Sequence, residues 1–145
     1  MKAILALLLT ATLACEVFAE PAKVGKTSAP AATSKNVTPD EAEALMKSTP
    51  ELVILDVRTP DEFAAGHIRG AKNADFFGDD FEKQIAALDP AKPVLVHCAA
   101  GNRSAQAVKK MEALKKGGVI YHLKVGFSGW SAAKKPVEGK PAGGK

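Results

Sequence analysis

Val94-Leu95-Val96-His97-Cys98-Ala99-Ala100-Gly101-Asn102-Arg103-Ser104 is an apolar run that ends in a cysteine, crosses a short turn of small residues and opens into a helical pattern. The run predicts a buried strand, and the small residues let successive peptide N–H groups turn toward one point. A helix beginning near Ser104 adds the positive end of its dipole there. A sulfur anion in that position is held in its ionised, nucleophilic form. Cys98 is therefore the candidate nucleophile, and Ala99, Ala100, Gly101, Asn102, Arg103 and Ser104 are the candidate anion-binding residues. The reading requires a sulfur open to a reactant and amide hydrogens that face it.

Strand and helix signals alternate on either side of this stretch. Thr38-Pro39-Asp40-Glu41 supplies an N-cap, a proline at the first helical position and a capping box, and Ala42, Leu45 and Met46 mark one face of a helix to about Ser48. Leu52-Val53-Ile54-Leu55 is a continuous apolar run of the kind buried on both faces of a parallel sheet, ending at Asp56-Val57-Arg58. Thr59-Pro60-Asp61-Glu62 repeats the capping device and opens a short helix that stops at Gly66; a short extended piece follows from Lys72 to Ala74. Phe81, Ile85 and Leu88 mark a third helix between Asp79 and Asp89. Val108, Met111 and Leu114 share one face of the helix after the cysteine, which is expected to run to Lys116 and stop at Gly117-Gly118. Val119–Leu123 reads as the last strand. The alternation predicts a three-layer α/β/α domain around a parallel sheet of about five strands. Ligands in such folds bind beyond the carboxyl ends of the strands, where Cys98 falls.

The chain begins with Lys2, an apolar stretch from Ala3 to Ala14, and Val17-Phe18-Ala19 ahead of Glu20-Pro21, the order of a secretory signal peptide. Residues 1–19 are expected to be removed by cleavage after Ala19, which sends the protein to the periplasm. The apolar stretch is short for a membrane span. A competing reading makes Cys15 a lipidated first residue, against which Thr12 stands where that pattern usually has leucine. Cleavage after Ala19 removes one of the two cysteines, leaving Cys98 without a disulfide partner, so an exported chain keeps one thiol as a working group. Residues 20–36, rich in Ala, Ser, Thr and Pro, read as a disordered linker. The domain is expected at 37–138, with a flexible tail at 139–145.

Leu55-Asp56-Val57-Arg58-Thr59-Pro60-Asp61-Glu62-Phe63, Gly66-His67-Ile68-Arg69-Gly70-Ala71, the Cys98–Ser104 loop and Gly126-Phe127-Ser128-Gly129-Trp130 occur in one order. Together they resemble the rhodanese (thiosulfate sulfurtransferase) family, specifically its small exported single-domain members, from about Val37 to Val137. The resemblance implies that Cys98 takes the sulfane sulfur of thiosulfate or a related donor, holds it as a persulfide and passes it to a thiol or to cyanide. A protein sulfur acceptor fits the same chemistry, and no cofactor is implied. Sulfite is a good leaving group, so Cys98 needs no general acid. The amides, the helix end and Arg103 offset the repulsion between two anions.

Two rivals use the same cysteine. A persulfide carrier would hold sulfur for one partner protein without turnover. A cysteine phosphatase would set one more residue between cysteine and arginine than the four that separate Cys98 from Arg103, and would want an acid for its leaving group. His97, inside a strand, and His67, in a turn, read as structural. Asp56 and Arg58 either support the crevice or form a buried network, and Trp130 reads as a core anchor for the last helix. The net charge of +4 suits an anionic substrate and is unchanged by loss of the leader, which carries Lys2 and Glu16. The lysines form no stripe interleaved with aromatic residues, so nucleic-acid binding is not expected. One mature cysteine and three scattered histidines predict no metal site.

Overall fold

The computed structural model describes residues 32–139. The expected leader, Cys15, residues 20–31 of the expected linker and residues 140–145 of the expected tail lie outside the described residues. The elements run β1 (Thr33–Val37), α1 (Pro39–Ser48), β2 (Val53–Asp56), α2 (Pro60–Ala65), β3 (His67–Ile68), β4 (Lys72–Asn73), α3 (Phe81–Ala86), β5 (Val94–His97), α4 (Asn102–Ala113), β6 (Val119–Leu123), α5 (Gly126–Ala132) and β7 (Val137–Glu138).

Five strands form one parallel sheet in the order β1-β6-β5-β2-β4. From β2 the chain moves outward to β4 and then returns to the other side of β2 as β5. The strand order therefore reverses between β2 and β5, and the carboxyl ends of those two strands flank the crevice that such a reversal opens. Both faces are covered. Leu55, Val94, Val96 and Ile120 pack with Phe81 and Ile85 of α3 and with Ala107, Val108 and Met111 of α4. Ile54, Leu95 and Leu123 pack on the opposite face with Ala42 of α1 and Trp130 of α5. All four residues of β5 are buried, as a continuous apolar run in a central parallel strand requires. The two capping boxes form as the sequence spells them, Thr38 with Glu41 and Thr59 with Glu62.

Four boundaries differ from the sequence reading. Residues 33–36, assigned to the disordered linker, belong to β1, which pairs from Thr33 to Val37 with Val119 to Leu123. Four of its five residues are exposed, so it has no apolar periodicity to reveal it and is held by its backbone ladder. Helix α4 ends at Ala113 instead of Lys116. Lys115 takes a left-handed φ of 51°, and the N–H groups of Lys115 and Lys116 close on the carbonyls of Glu112 and Met111. That is a Schellman stop completed by lysine ahead of the glycines, and it swings Leu114 out to 45 % exposure, off the buried face. Helix α3 is confined to Phe81–Ala86, and the Asp80 side chain makes no cap bond. Strand β6 is also not the last, because β7 returns to pair antiparallel with β3.

Removing the chain up to Asn36 strips β6 of its outer partner. Relative to a protein beginning at Ala32, this truncation is expected to lower unfolding free energy by about 2 kcal/mol, a few net backbone hydrogen bonds. Urea denaturation of the two proteins measures the difference.

Candidate active site

Cys98 follows directly on β5 and sits at the floor of the loop that leads into α4. Gly101 donates its backbone N–H to Sγ at 3.1 Å, and the Ser104 hydroxyl lies 3.4 Å from the same atom. Gly101 takes φ of 97°, which turns the peptide inward, and a Cβ there would run into the Lys124 carbonyl. Burial pushes the Cys98 thiol up, but the Ser104 hydroxyl and the amides of Ser104, Ala100 and Gly101 outweigh it and hold the thiol below the ordinary cysteine range. Of the loop residues singled out by sequence, these three therefore bear on the sulfur. Asn102 is exposed at the start of α4, and Ala99 contributes its carbonyl to the helix that follows β6.

The amide hydrogens converge as expected, but the residue does not stand open: Cys98 is only 1 % exposed. The loop curls tightly enough for Gly101 and Ser104 to reach the sulfur, and the same closeness covers it. Helix α5 clamps the loop from the other side. Phe127 N–H donates to the Cys98 carbonyl at 2.7 Å and Ser128 N–H to the Ala99 carbonyl at 3.0 Å. Gly126, at φ of 63°, permits this approach, because a Cβ would collide with both carbonyls.

Arg103 does not present a free guanidinium. It forms a two-pronged pair with Glu62, 2.7 and 3.0 Å from its two oxygens. The Glu62 carboxylate also accepts the Thr59 N–H of its own capping box at 3.1 Å. The bonds from Arg103 first, then those from Thr59, overcome partial burial and bring the Glu62 pKa down to about 2. Glu62 is thus a site residue that sequence reading placed only as a helix cap. Its partner Arg103 comes from the first turn of α4, 41 residues away, which no local pattern reports.

Asp56 and Arg58 form a buried network and do not open into the crevice, with side-chain exposures of 0 % and 5 %. Arg58 donates through Nε to both Asp56 oxygens, at 2.9 and 3.0 Å, and through Nη2 to the Gly66 carbonyl at 2.7 Å. Its guanidinium lies 4.0 Å over the Phe127 ring. Through Phe127 the network braces the clamp on the Cys98 carbonyl. His97 is fully buried with Nε2 3.7 Å from Asp56 and unpartnered, and burial depresses its pKa. His67 donates its Nδ1–H to the Phe63 carbonyl and stacks on the Phe63 ring, and Trp130 is buried with Nε1–H on the Pro136 carbonyl.

His122 and Asn36 also reach the site, unforeseen in the sequence. His122 Nε2 lies 2.9 Å from the Ser104 hydroxyl, and its Nδ1 lies 3.1 Å from the Asn36 carboxamide oxygen. Mid-strand His122 looks like any strand residue, and Asn36 falls on the strand that lacked a signal. A surface groove of about 360 Å³ between β1 and α1, lined by Lys35, Asn36, Glu41, Leu45 and Tyr121, contains neither Cys98 nor its loop. Among the described residues no group of three or more His, Cys, Asp or Glu is placed to hold a metal ion, and no helix is long and apolar enough to cross a membrane.

The Rhodanese-like domain family profile matches residues 38–133. The chain belongs to the rhodanese-like family. A thiosulfate sulfurtransferase GlpE of Stutzerimonas stutzeri is 35 % identical over 98 residues, covering 66 % of this chain and 84 % of that protein. The GlpE of Pseudomonas aeruginosa is 34 % identical, covering 68 % and 84 %. Among solved structures, a rhodanese-related protein of Thermoplasma volcanium superposes with a TM-score of 0.62 at 26 % identity, covering 72 % of this chain and 97 % of that one. The rhodanese-like domain of an Anabaena protein gives 0.65 at 26 % identity, covering 76 % and 86 %.

Two measurements follow from this geometry. Arg58→Ala leaves Asp56 charged and buried, so a loss of about 3–5 kcal/mol in urea unfolding is expected. Glu62 has a depressed pKa when folded, so its pairing stabilises the fold above the unfolded carboxylate pKa and is lost as pH falls toward about 2. Glu62→Gln should lower stability near neutral pH and flatten the acid limb of a Tm-against-pH curve between about pH 4.5 and 2.

Proposed function

We propose that this protein is an exported sulfurtransferase that moves the sulfane sulfur of thiosulfate, or of a related donor, to a thiol or cyanide through a Cys98 persulfide. The observation that carries the reading is the convergence of the Gly101 N–H and the Ser104 hydroxyl on Cys98 Sγ, 3.1 and 3.4 Å away. The relatives named thiosulfate sulfurtransferase GlpE support it, as does the MoeZ protein of Mycobacterium tuberculosis, a probable adenylyltransferase/sulfurtransferase 30 % identical over 115 residues. This chain spans 29 % of MoeZ. Export rests on the leader pattern of residues 1–19.

In the first half-reaction the Cys98 thiolate attacks the sulfane sulfur. A new Sγ–S bond forms, the S–S bond of thiosulfate breaks, and its electron pair leaves with sulfite. The persulfide keeps a negative charge, which the loop amides and the Ser104 hydroxyl stabilise as they stabilise the thiolate. In the second half-reaction the acceptor attacks the outer sulfur, the Sγ–S bond breaks, and its pair returns to Cys98. The loop must part for either reactant to reach a sulfur 1 % exposed. Arg103, already committed to Glu62, contributes charge from the rim in place of a free anion clamp. That commitment and the four-residue spacing disfavour a phosphatase, whose arginine grips the phosphoryl group with both prongs.

The covered sulfur favours one second reading, a persulfide carrier discharged only by a partner protein. Incubation with thiosulfate followed by intact-mass measurement, together with a thiosulfate:cyanide assay, separates the two. The enzyme gains one sulfur and releases sulfite and thiocyanate; the carrier gains the sulfur and keeps it in cyanide. Cys98→Ser should abolish both signals, and full sulfur transfer by that variant overturns the assignment.

A further inference from the structure

A thiol sealed from water needs a route for its proton. Cys98 is 1 % exposed and Ser104 0 %, yet the Ser104 hydroxyl touches both the sulfur, at 3.4 Å, and His122 Nε2, at 2.9 Å. The outer nitrogen of the ring, Nδ1, meets the side-chain oxygen of Asn36 at 3.1 Å. A carboxamide oxygen only accepts, so Nδ1 carries the hydrogen and the neutral ring has its lone pair on Nε2, aimed at the Ser104 hydroxyl. The Gly101 carbonyl, 3.0 Å from the same hydroxyl, already receives the Ala105 N–H of α4 at 2.9 Å and does not depend on that proton.

We propose that Ser104, His122 and Asn36 form a relay that carries the Cys98 thiol proton away from the buried sulfur, with His122 and Asn36 as positioning residues acting through Ser104. The S–H bond of Cys98 breaks as an O–H bond forms at Ser104. The original Ser104 proton passes at the same time to His122 Nε2, and the electron pair stays on sulfur. The products are a thiolate and an imidazolium, with the two inner hydrogen bonds reversed and the outer one kept: Nε2–H now donates to Ser104, Ser104 donates to the sulfur, and Nδ1–H still donates to Asn36. The Asn36 end lies on exposed β1, so the ring's second proton sits beside solvent.

The groups around the ring fit this part. Asn36 from β1 and Ser104 from α4 are uncharged, and the charged group that acts on the ring is Lys124, just after β6; Cys98 meets it only through Ser104. Helix α1 packs on the opposite face of the sheet, through Ala42 and Leu123. Burial first, and the neighbouring Lys124 charge, lower the His122 pKa against the pull of the Gly101 carbonyl, which keeps the resting ring neutral. The relay rests on the reading of Cys98 as the nucleophile, but it is tested by thiol ionisation and not by sulfur transfer.

In the full chain, thiolate absorbance against pH and alkylation by iodoacetamide, each taken as the difference from Cys98→Ser so that Cys15 cancels, report the ionisation and the reactivity of Cys98. His122→Gln is expected to slow alkylation at neutral pH about tenfold, one unit of thiol pKa. Asn36→Asp, which still accepts from Nδ1–H, should retain the rate, while Asn36→Leu loses at least about threefold. Nitrogen-15 NMR of the unaltered protein should find the hydrogen on His122 Nδ1 and a lone pair on Nε2 in the thiol form, a measurement that needs no variant to fold. An unchanged thiolate curve in His122→Gln, equal losses in Asn36→Asp and Asn36→Leu, or a resting proton on Nε2 with bare Nδ1 overturns the relay. Absence of thiocyanate in the sulfur-transfer assay would count against the sulfurtransferase alone and leave these ionisation results standing.

Discussion

The buried ion pair of Asp56 and Arg58 is the constraint on which the rest of the site is built. Withdrawing two charges from water costs several kcal/mol per ion, and only a nearly complete set of hydrogen bonds offsets it. Asp56 receives the Arg58 backbone N–H and side chain, Arg58 reaches on to the Gly66 carbonyl, and the carbonyls of both residues receive the Asn73 side-chain amide. One pair thus fixes the end of β2, the turn after α2 and the edge strand β4 relative to one another. Its guanidinium then lies against Phe127, whose amide holds the Cys98 carbonyl. The cysteine loop inherits its position from a charge pair that never meets substrate.

The loop itself works through dipoles. Arg103, the positive charge next to the loop in sequence, is answered by Glu62, so the sulfur is held by amide hydrogens and a hydroxyl fixed in place before any reaction begins. Preorganised dipoles of this kind act strongly where water is excluded and need no rearrangement when charge develops. Glu62 does two tasks with one carboxylate, closing the helix cap of α2 and anchoring the arginine of α4.

Much of this was legible in the sequence because it is local. The apolar runs of β2 and β5, the two Thr-Pro-Asp-Glu caps and the cysteine turn each state their structure within a few residues, and the three-layer parallel fold follows from their alternation. What escaped was either non-local or carried by backbone alone. β1 has no apolar face to mark it, and Leu114 fell off its helical face because Lys115 took a left-handed turn ahead of the glycines that looked like the stop. His122, Asn36 and the second role of Glu62 depend on contacts between elements that lie 18 to 86 residues apart. The clamp on the Cys98 loop likewise comes from α5 folding back onto its carbonyls, which the turn residues alone do not express.

Strand β1 has a consequence that its modest appearance conceals. It lies at the edge of the sheet, largely exposed, without an apolar side chain in its first four residues to hold it down. Edge segments with few buried contacts open locally far more often than the domain unfolds. Each such fraying event would expose the outer rim of His122 to water while leaving β5, the loop and α4 folded. The chemistry at the centre of the molecule is thereby tied to the breathing of its least anchored strand, and whatever grips the chain just before Thr33 can set how often that strand peels away.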